Sequence, residues 1–179
     1  DFFETGVAMQ NDISLRGGDE KGFFYVSLQD VKATGIIPMD ENRRTGVRMS
    51  AGREYGIFKS EVTFGYTQTN TSVSGGDMSQ QRPVYWNVLN TPGQVPLSHY
   101  KDIENNKFAA LDGYYNAYYP NPYWQLEHSR INTKRNDVLG SLNLTLKPVK
   151  WLELTNRTGL VYQLSNQNSF RDEAIYSSY

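Results

Sequence analysis

The sequence predicts an all-β chain of antiparallel strands. Apolar and polar residues alternate with a period of two in six separate segments. No segment keeps the roughly 3.6-residue period of an amphipathic helix. Short, turn-like links alternate with longer ones along the chain.

In the first segment Val7, Met9, Ile13 and Leu15 share one face, opposite Gln10, Asp12, Ser14 and Arg16. GGDEKG (17–22) follows as a tight hairpin, with Gly17 and Gly18 expected to supply the positive φ that such turns favour. Residues 23–31 set Phe24, Val26 and Leu28 against Tyr25, Ser27 and Gln29. DVKATGIIPMDENR, about residues 30–43, reads as a longer connection. Val47, Met49 and Ala51 then oppose Arg44, Arg48 and Ser50, before a short link at REYG (53–56). The fourth strand is the cleanest, with Phe58, Val62, Phe64 and Tyr66 against Lys59, Glu61, Thr63 and Thr67. One long loop is expected at approximately 71–132. Beyond it Val138, Leu142, Leu144 and Leu146 alternate with Asp137, Ser141, Asn143 and Thr145. After KPVK (147–150), Leu152, Leu154, Leu160, Tyr162 and Leu164 alternate with Glu153, Thr155, Arg157 and Gln163.

Composition narrows the function. The 179 residues carry a formal net charge of −1, which argues against a nucleic-acid partner. There is no cysteine, and so no disulfide, thiolate nucleophile or cysteine-based zinc site. Mean hydropathy is −0.62, and no run approaches the roughly 18 apolar residues of a membrane helix. A membrane β-barrel remains open, because alternating strands keep average hydropathy low. The segment DFFETGVAMQ has neither the basic nor the apolar region of a signal peptide.

Alternation alone serves two architectures. In a soluble sandwich, Asp12, Arg16, Arg48, Glu61, Asp137 and Arg157 meet bulk water and the opposite face forms the core. In a barrel the same polar face lines a wet lumen, and the apolar face meets lipid.

Gly17-Gly18-Asp19-Glu20 is four-fifths of the GGDEF signature of nucleotide cyclases. Lys21 stands where that hairpin carries phenylalanine, and no alternating helices and strands flank it, so the stretch reads as a turn. The aromatic residues of the long loop are the better candidates for binding: Tyr85, Trp86, Tyr114, Tyr115, Tyr118, Tyr119, Tyr123 and Trp124. Such rings suit stacking on sugars, protein interfaces, loop packing or a membrane-surface belt. Asp102, Glu104, Asp112 and Glu127 lie in the same stretch as possible hydrogen-bonding groups. His99 and His128, the only histidines, have no metal-ligand spacing. No catalytic residue, metal site or cofactor is predicted.

Three local patterns resemble one family. In FFETGVAMQNDISLRGGDEKGFFYVSL, residues Phe3, Thr5, Gly6, Ser14, Leu15, Gly17, Gly18, Glu20 and Lys21 match a run that enters the early barrel of SusC/RagA-type TonB-dependent outer-membrane transporters. GIIPMDENRRTGVRMSAG is similar to the same family's G-I-[VI]-P-x-x-x-x-[KR]-R connection. NPYWQLEHSRINTKRNDVLGSLNLTLKPVKWLELTNRTGL resembles its later N-P-Y-W to W-L-x-L-x-x-R-x-G segment.

The resemblance implies a barrel of about 22 strands in the bacterial outer membrane, filled by a plug. It also implies an external SusD/RagB-type lipoprotein lid, energisation by TonB, and import of oligosaccharides or oligopeptides. Residues 1–179 would be a part of that barrel domain, without plug or TonB box, because six strands close no membrane barrel. The long loop would be extracellular. The rival expectation is a soluble β-sandwich that binds glycans through the aromatic loop, with a β-scaffold hydrolase third. Phe58, Val62, Phe64, Leu142, Leu144 and Leu154 separate the first two, since a barrel exposes them to lipid and a sandwich buries them.

Overall fold

The structure, a computed structural model, describes residues 1–77, 81–110, 113–116 and 119–172. It is an antiparallel meander in one sheet, with strand order β1-β2-β3-β4-β5-β6. The strands are β1 (Ala8–Asp19), β2 (Gly22–Thr34), β3 (Glu41–Tyr55), β4 (Phe58–Ser74), β5 (Ser129–Val149) and β6 (Leu152–Arg171). All six strands expected from alternation are present. The sheet is open, with β1 and β6 at its edges.

Links of very different length sit at the two ends. At one end three two-residue turns join the hairpins: Glu20–Lys21, Gly56–Ile57 and Lys150–Trp151. At the other end lie the connections 35–40 and 75–128. The first of these is much shorter than the expected 30–43, because Asp30 and Lys32 continue β2 and pair with Thr45 and Arg43. The long loop is trimmed from 71–132 to 75–128, since β4 and β5 stay in register as far as Ser74 and Arg130. It also contains short helices that hydrophobic periodicity did not reveal. These are α1 (Val84–Leu89), a 3₁₀ turn (Leu97–Tyr100) and α2 (Pro122–His128).

The glycines at the first hairpin have a different role from the one expected. Gly17 and Gly18 are strand residues paired with Phe24 and Phe23, and neither has positive φ. A Cβ on Gly17 would lie 2.6 Å from Phe24 Cε1. One on Gly18 would overlap the backbone of Gly22 and Phe23. Cross-strand crowding therefore favours glycine at both positions, against a side-chain ring at Gly17 and against backbone at Gly18. The turn itself is held by the Lys21 backbone N–H, which donates to Asp19 Oδ1 at 2.9 Å. Gly56, at φ 59°, does occupy the left-handed region in its turn.

Of all residues in the six strands, only Ser129 and Arg130 are buried. The compact core lies instead at the loop end of the sheet. Phe2, Val84, Tyr123 and Leu126 form it, with Ile37, Val88, Leu97 and Ile103 packed around them. The N-terminal segment is tied to this end, as Glu4 N–H donates to Ile36 O at 2.8 Å.

Candidate functional site

Strand register sorts the side chains into two contrasting faces. On one face the rows read Ile13, Leu28, Val47, Tyr66, Val138, Tyr162, then Leu15, Val26, Met49, Phe64, Gly140, Leu160. The next row is Gly17, Phe24, Ala51, Val62, Leu142, Thr158, and Tyr55, Phe58, Leu146 and Leu154 follow toward the turns. This apolar band crosses all six strands without a charge in its central three rows. It is open to the surroundings: Ile13 is 72% exposed and Leu160 62%. Aromatic rings mark its two limits, Tyr66 and Tyr162 toward the loops and Tyr55 and Phe58 toward the turns. Arg53, on the same face near the turns, places its guanidinium 5.2 Å from the Tyr55 ring centroid.

The opposite face is polar and charged. One row holds Gln10, Val31, Arg44, Thr69, Arg135 and Ser165, and the next Asp12, Gln29, Gly46, Thr67, Asp137 and Gln163. Arg16, Arg48, Glu61 and Arg157 lie further along it. Cross-strand hydrogen bonds knit the wall. Gln29 Nε2 donates to Asp12 Oδ1 at 2.9 Å, and Arg44 Nη2 to Gln29 Oε1 at 2.9 Å.

A sandwich needs a second sheet over the apolar face, and the described residues build one sheet. Of the six positions a sandwich would bury, Phe58, Val62, Phe64, Leu142 and Leu154 are between 37% and 52% exposed, and Leu144 is half-buried.

At the loop end, buried amides organise the long connection. Asn121 Oδ1 caps α2 by accepting from Tyr123 N–H at 3.1 Å, with Pro122 at the first helical position. Asn121 Nδ2 donates to Tyr100 O and Ala109 O, both at 2.8 Å. Gln125 accepts from Asn87 Nδ2 at 2.7 Å and donates to Gly75 O and Arg82 O, each at 2.9 Å. A buried ion pair joins Arg82 Nε and Asp77 Oδ2 at 3.2 Å. Arg130 donates from Nη1 to Asp40 Oδ1 at 3.0 Å, and from Nη2 to Met39 O at 2.6 Å and Ser72 Oγ at 3.0 Å. Asp40 Oδ1 also accepts from Ser74 N–H at 2.7 Å.

The predicted aromatic residues divide by environment. Tyr114 and Tyr123 are buried and structural. Tyr123 packs on Phe2, with ring centroids 5.0 Å apart. Tyr114 sits edge-on to Tyr115 at 4.6 Å and to Tyr100 at 5.0 Å. Burial pushes the Tyr114 phenol above the ordinary tyrosine range, and Tyr115 and Tyr100 add to the shift. Burial also raises Tyr123, with the Glu4 carboxylate contributing. Trp124 stacks on His128, centroids 4.2 Å apart and rings 2° from parallel. Tyr119 lies under the Arg82 guanidinium at 4.9 Å. Tyr85, Trp86 and Tyr115 present open rings, 48%, 45% and 40% exposed. Tyr118 and Asp112 lie outside the described residues. Asp102 serves its own turn, with Oδ1 accepting from Asn105 N–H at 3.0 Å.

Sequence reasoning missed Tyr100, Asn87, Gln125 and Arg130. For α2 a signal was present, because Asn121-Pro122 is a helix-start pair. The other four carry no local signature, since their partners are distant in sequence.

The fold and faces together define a class: an open antiparallel meander with an uncovered apolar band on one face and a charged wall on the other. No protein-family model matches the chain, and no curated protein matches it either.

Proposed function

We propose that this chain is a section of the wall of a SusC/RagA-type TonB-dependent transporter in the bacterial outer membrane. The observation that carries the reading is the uncharged apolar band, which crosses six strands and has no strand residue buried beneath it. Exposing so much contiguous apolar surface to water is costly, whereas lipid accepts it. From Phe58 to Tyr66 the apolar face runs about 27 Å along β4 at roughly 3.4 Å per residue, its three uncharged rows separated from Phe58 by one row that carries Asp19 and Arg53. A tilt of about 40° projects that to about 20 Å, near the roughly 25 Å apolar height of an outer-membrane barrel. The aromatic limits suit the girdles at the two interfaces. Two-residue turns at one end and a long structured loop at the other suit the periplasmic and extracellular sides.

In this reading the charged wall faces the lumen and the plug. Tyr85, Trp86 and Tyr115 meet the SusD/RagB-type lid or an oligosaccharide or oligopeptide cargo. Transport is by binding and TonB-driven gating, without covalent chemistry. The three motif resemblances select this family among barrels.

Single cysteines test the proposal, since these 179 residues contain none. Spin labels at Leu142 and Leu160 in the full protein should be reached by lipid-soluble oxygen. Labels at Ser141 and Val161 should be reached by a water-soluble relaxation agent instead. Equal accessibility of the two sets would remove the barrel-wall reading.

A further inference from the structure

Just beyond the apolar band, on the same face and toward the loops, the chemistry changes abruptly. Above Tyr66, Val138 and Tyr162 comes a row with Gln68, Asn136 and Leu164, and above that Asn70, Lys134 and Asn166 lie side by side. Asn132 and Asn168 pair in the next row. Asn70, Asn132, Lys134, Asn166 and Asn168 line a shallow groove of about 530 Å³, which Arg43 and Glu41 close on the β3 side. Its cations differ in state. Arg43 is bound to Asp30 at 3.0 Å and Lys32 lies 3.9 Å from Glu41. Lys134 is exposed and has no ion pair among the described residues.

We infer that this groove binds the phosphorylated sugar headgroup of an outer-leaflet glycolipid, whose acyl chains lie on the apolar band below. The inference rests on the barrel-wall reading. One unpaired ammonium fits a phosphate, and flanking carboxamides supply both donors and acceptors, as sugar hydroxyls require. Phosphatidylglycerol would use Lys134 but offers only two headgroup hydroxyls to the four asparagines, fewer than a disaccharide headgroup presents. Continuity of groove and band on one face lets a single amphiphile occupy both.

The test uses the full transporter in mild detergent, incubated with lipid A, dephosphorylated lipid A or phosphatidylglycerol, with bound lipid counted by native mass spectrometry. Lipid A is expected to be retained over both others. Lys134→Ala should lower its retention about fivefold, the effect of one surface cation on an anionic lipid. Lys134→Arg should keep it, and Asn166→Ala should weaken lipid A more than phosphatidylglycerol. Equal retention of phosphatidylglycerol, or no effect of Lys134→Ala, overturns the inference. A spin label at Leu160 separates the two levels. If Leu160 lies in lipid while lipid A is not preferred, the glycolipid site alone falls. If Leu160 lies in water, both fall.

Discussion

Arg130 and Asp40 meet at 3.0 Å across 90 residues of chain, and through them the start of β5 is locked to the short loop 35–40. The guanidinium also holds Met39 O, and Met39 sits at φ 67°, a conformation a non-glycine residue adopts only when its surroundings hold it there. Asp40 in turn receives the Ser74 N–H where β4 ends. One buried pair thus joins loop 35–40, the end of β4 and the start of β5.

Arg130→Met should therefore loosen the loop end and spare the sheet. Removing one partner of a largely buried pair costs about 3 kcal/mol. Hydrogen exchange at the amides of Gly35, Asp40 and Ser74 should accelerate, while amides in the middle of β2 and β3 keep their protection. Unchanged exchange at Ser74 would show that the pair does not hold this end.

The hairpin glycines yield a contrast. Gly17→Ala pushes a methyl group into the Phe24 ring and should cost about 1–3 kcal/mol. In a Phe24→Ala background that penalty should largely vanish, because the obstacle is a side chain. Gly18→Ala meets backbone, so Phe23→Ala should not rescue it. Urea unfolding of the four single and two double variants, read as double-mutant cycles, checks both expectations.

Charge on the apolar face should act by depth. Leu160→Arg, in the central row, should destabilise the folded state in lipid vesicles by about 2–4 kcal/mol. Leu144 sits in the row that already carries Arg53, nearer the turns, and Leu144→Arg should cost only about 0–1 kcal/mol. Val161→Arg, on the charged face, should be close to neutral. Equal costs at Leu160 and Val161 would mean that the two faces see the same medium.

Tyr114 sets a pH limit for the loop cluster. Its phenol is harder to ionise folded than unfolded, so its stabilising contribution is complete below the ordinary tyrosine pKa of about 10. That contribution is lost as pH rises above this value toward the raised one. Absorbance titration of the phenolates should show Tyr114 lagging furthest behind the exposed tyrosines, with Tyr123 also late. Tyr114→Phe should remove the latest step and flatten the alkaline loss of loop protection.

The exposed and buried aromatics should separate binding from folding. Tyr85→Ala with Trp86→Ala should lower cargo uptake or lid affinity and leave the fold unchanged. Tyr123→Ala should open a cavity against Phe2 and Leu126 and cost about 3–5 kcal/mol. If uptake and lid affinity survive the loss of both open rings, the loop binds through other residues.

The sequence by itself determined the strands and their faces, because alternation is a local property and the pleat turns it directly into two surfaces. It also marked the three turns, although each expected link starts three residues early, inside the preceding strand. Tertiary structure alone decided what depends on distant partners. Register lined six separate apolar stretches into one band and carried Asn70, Lys134 and Asn166 into one row, although no two of them are neighbours in sequence. Cross-strand crowding by Phe24 and the Phe23 backbone explained Gly17 and Gly18, which read locally as turn residues. Of the aromatic residues, the sequence showed only that they cluster in the loop. Packing against Phe2, Tyr100 and Leu126 decided which rings are structural and which stay open, since burial is set by neighbours and a run of residue types does not name them.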